Sequence, residues 1–250
     1  MEHLVKTDSE IERLRESCRM LAEVLTIVES EIVVGMTTAE VDQIARNEIK
    51  SLGGKPAFYG YQGFPGVACV SLNEQVVHGI PGPTEIEDGD ILSVDCGVNY
   101  KGMISDSAFS IIVGESDSAD EQLLATTLES LCAGINQVKA GATTGDIGAA
   151  VQSVLDKGGY GIVRDLVGHG VGRSLHEAPE IPNFGTSGGG RTLLAGMTIA
   201  IEPMAARGGW EVDVMSDDWT IVMRDGSRSA HFEHTVLITD DGAEVLTARD

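Results

Sequence analysis

A chain of 250 residues, 42% of them hydrophobic, is long enough to bury one sizeable core and too apolar to be disordered. Its formal net charge of −22 argues against a basic face for gripping nucleic acid or anionic lipid, and leaves a salt-adapted surface as an alternative to an ordinarily soluble one. No apolar run reaches the roughly 18 residues of a membrane span, the opening Met1-Glu2-His3-Leu4-Val5-Lys6 lacks the apolar core of a secretory signal, and no two cysteines stand at CxxC spacing. We therefore expect a soluble protein of a reducing, cytoplasmic compartment with no zinc finger, in which Cys18 and Cys132, on helix-like segments, are buried thiols.

In chain order, Ser9-Glu10-Ile11-Glu12 reads as a capping box. Ile11, Leu14, Cys18, Leu21, Ala22, Leu25 and Val28 follow at helical spacing, which predicts a helix over residues 9–31. Thr37-Thr38-Ala39-Glu40 is a second capping box, opening a helix that stops at Gly53-Gly54. Residues 91–95 then read as a strand, Asn99-Tyr100-Lys101-Gly102 as a turn, and residues 105–113 as the returning strand. With the turn centred between Tyr100 and Lys101, Asp95 and Asp106 oppose each other directly. Opposed residues have Cβ atoms about 4.5–5.5 Å apart, and like charges there repel. The pair invites a cation; an exposed hairpin with two unpaired acids is the alternative.

The same grammar recurs downstream. After a helix over residues 120–139, Gly141-Ala142-Thr143-Thr144-Gly145-Asp146-Ile147 repeats Gly35-Met36-Thr37-Thr38-Ala39-Glu40-Val41 at an offset of 106 residues, and again leads into a helix ending in a glycine pair, Gly158-Gly159. Gly196-Met197-Thr198-Ile199-Ala200-Ile201-Glu202 repeats Gly89-Asp90-Ile91-Leu92-Ser93-Val94-Asp95 at an offset of 107. Agreement of the two offsets points to a duplicated helix–helix–strand unit. We expect an α+β fold with one domain over residues 1–250, in pseudo-symmetric halves of about 1–115 and 116–250, each delivering an acid to a matching place.

Two histidines lie in Gly168-His169-Gly170-Val171-Gly172-Arg173-Ser174-Leu175-His176-Glu177, where three glycines favour a turn or irregular strand over a helix. Each reads equally as a ligand or as a hydrogen-bonded structural histidine. Glu202 follows an apolar strand and precedes Pro203, so it should be buried or nearly so; Glu233 opens the last strand. Singly, both read as strand ends. Jointly, Asp95, Asp106, Glu202 and Glu233 would neutralise two divalent ions, and a mostly oxygen donor set with one imidazole suits Mn, Fe, Co or Zn rather than a thiolate zinc site. Two ions about 3.5–4 Å apart can activate a shared water near neutral pH. No GxSxG nucleophile turn and no phosphate loop is present.

These residues, together with Asn73-Glu74-Gln75-Val76-Val77-His78-Gly79-Ile80-Pro81, Ile201-Glu202-Pro203-Met204 and Phe232-Glu233-His234-Thr235, resemble the type I methionine aminopeptidases over nearly the whole chain. The resemblance implies the pita-bread fold, with two pseudo-symmetric halves around a curved antiparallel sheet. It implies removal of the initiator methionine from nascent polypeptides whose second residue is small, with two divalent ions (Co, Mn, Fe or Zn) on Asp95, Asp106, His169, Glu202 and Glu233. By the same resemblance Glu202 is also the general base and acid, His176 holds the scissile carbonyl and its oxyanion, and His78 contacts the substrate backbone and assists proton movement. The methionine pocket would comprise Tyr61, Phe64, Cys69, His78 and Trp219, with Phe58 near its rim. Gly168, Gly170 and Gly172 would let backbone approach the second substrate residue. The implied partners are the N-terminal peptide of nascent proteins and, transiently, the ribosome; a cytoplasmic monomer with no specific nucleic acid and no membrane is expected.

The interval of 26 residues from His176 to Glu202 is short, which favours type I over the type II enzymes with their helical insertion, and the start resembles the short bacterial form without a zinc-binding extension. Gln62 stands where the family commonly has His, His231 where it often has Gln, and Ser105 where Gly commonly precedes the second ligand aspartate. The alternatives are a prolidase or aminopeptidase P, which normally carries a large extra N-terminal domain, a non-catalytic pita-bread binding protein, which has usually lost ligands, and a structural metal-binding domain.

Overall fold

The computed structural model describes residues 2–249. Four helices, α1 (Asp8–Glu31), α2 (Thr38–Ser51), α3 (Ser118–Ile135) and α4 (Thr144–Gly158), pack on a nine-stranded sheet in which every pairing is antiparallel. The capping box of α1 uses Thr7 and Glu10, not Ser9 and Glu12: the Thr7 side chain accepts from the Glu10 amide, and the Glu10 carboxylate accepts the Thr7 N–H at 2.8 Å. Both frames have the right spacing, and a partner far along the chain favours the earlier one, because Arg173 forks onto Glu10 at 2.7 Å with both nitrogens. From there Leu14, Cys18, Leu21, Leu25 and Val28 form the buried stripe. Helix α3 ends four residues before the expected 139. Val138 fits the helical period, but it is buried in the turn that follows Asn136. The buried face of α3 carries Leu123, Thr127, Leu131 and Gly134, so Cys132 points outward and is exposed, contrary to expectation; Cys18 is buried.

The sequence echo is also an echo of backbone conformation. Thr37 and Thr143 each cap a helix with a full capping box, through Glu40 and Asp146. Each also forms an isolated antiparallel bridge, to Glu85 and to Thr192. Gly35 and Gly141 share φ near 90° (89° and 87°), as do Gly89 and Gly196 (87° and 84°), a region only glycine enters freely. One hydrophobic core runs through both helix pairs and the sheet, from Leu21 and Val41 to Val151 and Ile201.

The hairpin of Asp90–Tyr100 and Met103–Val113 turns one residue later than expected. Its loop is Lys101-Gly102, with φ of 49° and 82°, the two-residue turn that matches strand twist. Asp95 therefore faces Ala108 and Asp106 faces Gly97. The expected direct opposition of the two acids is wrong by two residues. A shift of two preserves the face of the sheet, so they are diagonal neighbours on one surface.

The strand Met103–Val113 joins Glu233–Ile238 through only two residue pairs, Glu233 with Ala108 and His234 with Ser107. Hydroxyls reinforce this junction. Ser107 donates to the Glu233 carbonyl at 2.7 Å, Ser110 to that of His231 at 2.8 Å, and Thr235 to that of Asp106 at 2.7 Å. Beyond Glu233–Ile238 come Thr198–Ile201, then Gly168–Gly170, then Glu177–Ile181. Two three-stranded sheets stand beside this one. The first joins Met204–Ala206 to Ser229–His231 and Gly161–Ile162, and the second joins Val212–Val214, Ile221–Met223 and Gln75–Val77.

Candidate active site

Sheet register assembles the acids. Ala108 faces Asp95 on one side and Glu233 on the other, and its small methyl leaves the space between the two carboxylates open. In the next pairing Ile201 faces His234, so Glu202, just past the strand end at Pro203, falls beside Glu233. Asp106 lies on the same face as Ala108, two residues away. Asp95, Asp106 and Glu233 are buried, and the Glu202 side chain is 14% exposed.

His169 enters from Gly168–Gly170, a short strand in the region read as turn or irregular strand. The flanking glycines are required by neighbouring backbone. A Cβ on Gly168 would stand 2.4 Å from the Ala200 carbonyl oxygen, and one on Gly170 2.3 Å from that of Ala178. A Cβ on Gly172 would meet the Lys6 side chain. Gly168 and Gly170 thus bring His169 tight against neighbouring backbone, a need for glycine separate from the expected room for the second substrate residue. The ring's Nδ1 lies 2.9 Å from the Gly170 carbonyl, to which it donates. The lone pair of Nε2 then faces Glu202 at 3.5 Å and Asp106 at 3.7 Å.

Ligand atoms of Asp106, His169 and Glu233 lie within 4.8 Å of one another. Asp95 Oδ1, Asp106 Oδ1 and Glu233 Oε1 are buried and have no hydrogen-bond partner, a costly condition for protein atoms alone. Burial, the largest cause, pushes the Asp95 carboxyl up to about 7. Burial and then mutual repulsion push Asp106, Glu202 and Glu233 well above the carboxylate range. Crowded oxygens beside an unprotonated imidazole suit divalent cations, whose charge reverses that environment.

Above the acids lies a cavity of about 260 Å³. Phe58, Tyr61, Phe64, Cys69, His78 and Trp219, all expected, line it. Phe58, placed by the resemblance near the rim, is a buried member of the wall cluster with Phe64 and Cys69. The edge of Phe64 meets Trp219 at 5.1 Å between ring centroids, and His78 meets the same indole at 6.2 Å. Trp219 is held in its turn by Asp217, whose Oδ1 accepts both the Trp219 and Thr220 amides at 2.9 Å. Leu175, Leu166 and Met204 also line the cavity and were not anticipated. Leu175 and Met204 carried a signal, inside the motifs that hold His176 and Glu202, and Leu166 carried none.

His176 stands at the cavity mouth, its ring 4.3 Å from that of His169 and its Nδ1 2.8 Å from the Tyr61 hydroxyl. Burial lowers its pKa, and lowers that of His78 to about 4, where a charged His176 would push it down further. Of the departures, Gln62 lines the cavity with φ of 47°. His231 is buried with neither ring nitrogen bonded and its Nε2 3.7 Å from Glu202. Ser105 points the other way, into α1, where its hydroxyl meets that of Ser17 at 3.1 Å, so it does not touch the acids. A second, wider cavity of about 720 Å³ opens beside the first and shares Val167, His169 and His176 with it.

Residues 12–240 match metallopeptidase family M24. A methionine aminopeptidase of Clostridium perfringens is 43% identical over 244 residues, spanning 98% of each chain. The crystal structure of a methionine aminopeptidase from Thermotoga maritima is similar with a TM-score of 0.96 at 46% identity, over 98% of this chain and 99% of that one. A prolidase from Pyrococcus furiosus is similar with a TM-score of 0.80 at 25% identity, but this chain covers only 66% of it. The architecture is the pita-bread fold common to these proteins. On sequence and on structure alike, the chain belongs to metallopeptidase family M24.

Proposed function

We propose that this protein is a methionyl aminopeptidase that removes the initiator methionine from new polypeptides. The observation that carries this reading is the floor of orphaned buried carboxylate oxygens under a closed aromatic cavity. Asp95, Asp106, His169, Glu202 and Glu233 would hold two divalent ions, Co, Mn, Fe or Zn. Such ions, when bound, would supply Lewis acidity for the water, the scissile carbonyl and the free α-amine.

Methionine enters the slot of Tyr61, Phe64, Cys69, His78 and Trp219, where a polarisable thioether packs against aromatic edges and no charged partner awaits another side chain. Glu202 takes a proton from the attacking water as the carbon–oxygen bond forms, and delivers it to the leaving amine as the carbon–nitrogen bond breaks. The Tyr61 hydroxyl lies 2.8 Å from His176 Nδ1; with the hydroxyl as donor, Nε2–H would be left to stabilise negative charge on the carbonyl oxygen. A lowered pKa keeps that ring neutral at pH 7, a donor at Nε2 with its other nitrogen satisfied. His78, also neutral, lies against Trp219, where the substrate backbone passes. The second substrate residue lies beside the touching His169 and His176 rings, where the two cavities meet, so it must be small. The rest of the peptide leaves along the wider groove. The substrate is the N-terminal peptide of nascent chains, met in the cytoplasm by a monomer in transient contact with the ribosome. Among the described residues no helix is long and apolar enough to cross a membrane.

The test is hydrolysis of Met-Ala-Ser by metal-stripped protein with each metal added back. Full activity in excess chelator, with metal analysis near zero, overturns the reading. Cleavage of Xaa-Pro peptides without preference for methionine would favour an aminopeptidase P.

A further inference from the structure

Residues 4–7, just ahead of α1, form a strap across the turn that carries His176. The Lys6 amide donates to the Gly196 carbonyl at 2.8 Å. The strap passes close to two glycines. A Cβ on Gly196 would stand 2.8 Å from a Val5 methyl, and one on Gly172 2.8 Å from the Lys6 stem. The Lys6 side chain is 1% exposed, and its ammonium meets the Glu177 carboxylate at 2.7 Å. A buried lysine of this kind is uncommon and needs its partner.

Glu177 directly follows His176, and its second oxygen closes a turn, accepting the Ser174 amide at 2.9 Å. The Gly172 amide donates to the Ser174 carbonyl at 3.1 Å, which closes the segment at its start. Leu175 and His176 are therefore held between a carboxylate anchor and a backbone knot. On the same side Arg173 grips the strap, donating to the His3 and Val5 carbonyls as well as to Glu10. Among the described residues, the side-chain hydrogen bond of the His176 ring toward the cavity is to Tyr61.

We propose that Lys6 is a positioning residue for catalysis: by anchoring Glu177 it holds residues 172–177 in the turn that aims His176 at the scissile carbonyl. The inference rests on the role given to His176 above. Lys6 touches neither substrate nor reacting atoms, and its contribution passes through one imidazole. Loss of the anchor lets that ring drift, and a displacement near 1 Å costs on the order of 100-fold in rate.

The experiment is a double-mutant cycle on the metal-loaded enzyme with Met-Ala-Ser as substrate, combining Lys6→Met with His176→Ala. Alone, Lys6→Met is expected to lower kcat by about 10- to 100-fold with KM and metal content little changed. In the His176→Ala background the same change should cost less than about twofold, because the residue it positions is gone. Lys6→Arg, which keeps the ion pair, should recover most of kcat. Should Lys6→Met fold poorly, Lys6→Met with Glu177→Gln removes the unpaired buried charge and should show the same loss of kcat. Multiplicative losses in the cycle, or an unchanged kcat in Lys6→Met, overturn the proposal. If His176→Ala alone leaves kcat intact, it is the role of His176 that fails.

Discussion

Replacing Gly168 by alanine adds one methyl group, 2.4 Å from the carbonyl oxygen of Ala200. Ordinary contact begins at 3.4 Å, so the backbones must separate by about 1 Å, the difference of the two distances. Neither can yield alone. Gly168 pairs with Ile181 on its other side, and Ala200 pairs with Thr235. The separation falls on the strand that carries His169 and the strand that leads into Glu202, so it opens the 3.5 Å gap between those two side chains. Misplacement of about 1 Å at reacting groups costs on the order of 100-fold, and overpacking of a buried site about 1–3 kcal/mol of stability. For a chain of this size that is a fall in Tm of roughly 2–12 °C. Gly242→Ala is the control, because nothing lies within 4 Å of its added methyl. The assay is kcat/KM for Met-Ala-Ser at saturating metal, with a thermal melt on the same samples. Gly168→Ala within about twofold of the parent would refute the claim that backbone approach at this glycine sets the ligand geometry.

Chelation should lower thermal stability, and metal added back should restore it by mass action on the folded state. The sign of the accompanying pH dependence follows from the raised carboxyl values: in the stripped fold Asp95 keeps its proton up to about 7, against an ordinary 3.8. The folded state then holds protons that the unfolded chain has released. Stripped protein should lose stability as pH rises from about 4 to 7, and loaded protein should lose less; parallel melts at pH 5 and 7.5 with equal slopes would refute this. His176→Ala should still bind metal but lose about 10²- to 10³-fold in kcat, read by steady-state kinetics; a near-normal kcat removes it from the mechanism. In a Met-X-Ser series, X = Ala should be cleaved and X = Arg not, and N-acetylation of the first residue should abolish turnover. Norleucine should replace methionine with modest loss, since a methylene is worth only about 1–3 kcal/mol in an apolar pocket.

Much of the site was legible because it repeats local grammar. The capping boxes at Thr37 and Thr143 and the echo of Gly89 in Gly196 mark the helix pairs and two of the acid-bearing strands. Register was less legible. A two-residue loop can sit at any of three positions within Asn99-Tyr100-Lys101-Gly102, and the preference of Gly102 for left-handed backbone decided it. The face of Asp95 and Asp106 survived the error because side chains alternate with a period of two. What sequence could not offer were pairings across long separations. Tyr61 and His176 are 115 residues apart, and Lys6 and Glu177 are 171 apart; neither pair shares a local pattern. Cys132 failed for a related reason, since helical period alone does not say which stripe faces the core.

The junction between Met103–Val113 and Glu233–Ile238 has only two paired residues, yet it divides the acids: Asp95 and Asp106 lie on one side, Glu202 and Glu233 on the other. Ions held among these carboxylates would rivet the sheet across its thinnest join. Catalytic competence and mechanical closure would then be one property, and in a cell short of metal the face of the sheet that carries the acids would be joined at this seam by two residue pairs and the hydroxyls of Ser107, Ser110 and Thr235, with the shared core beneath.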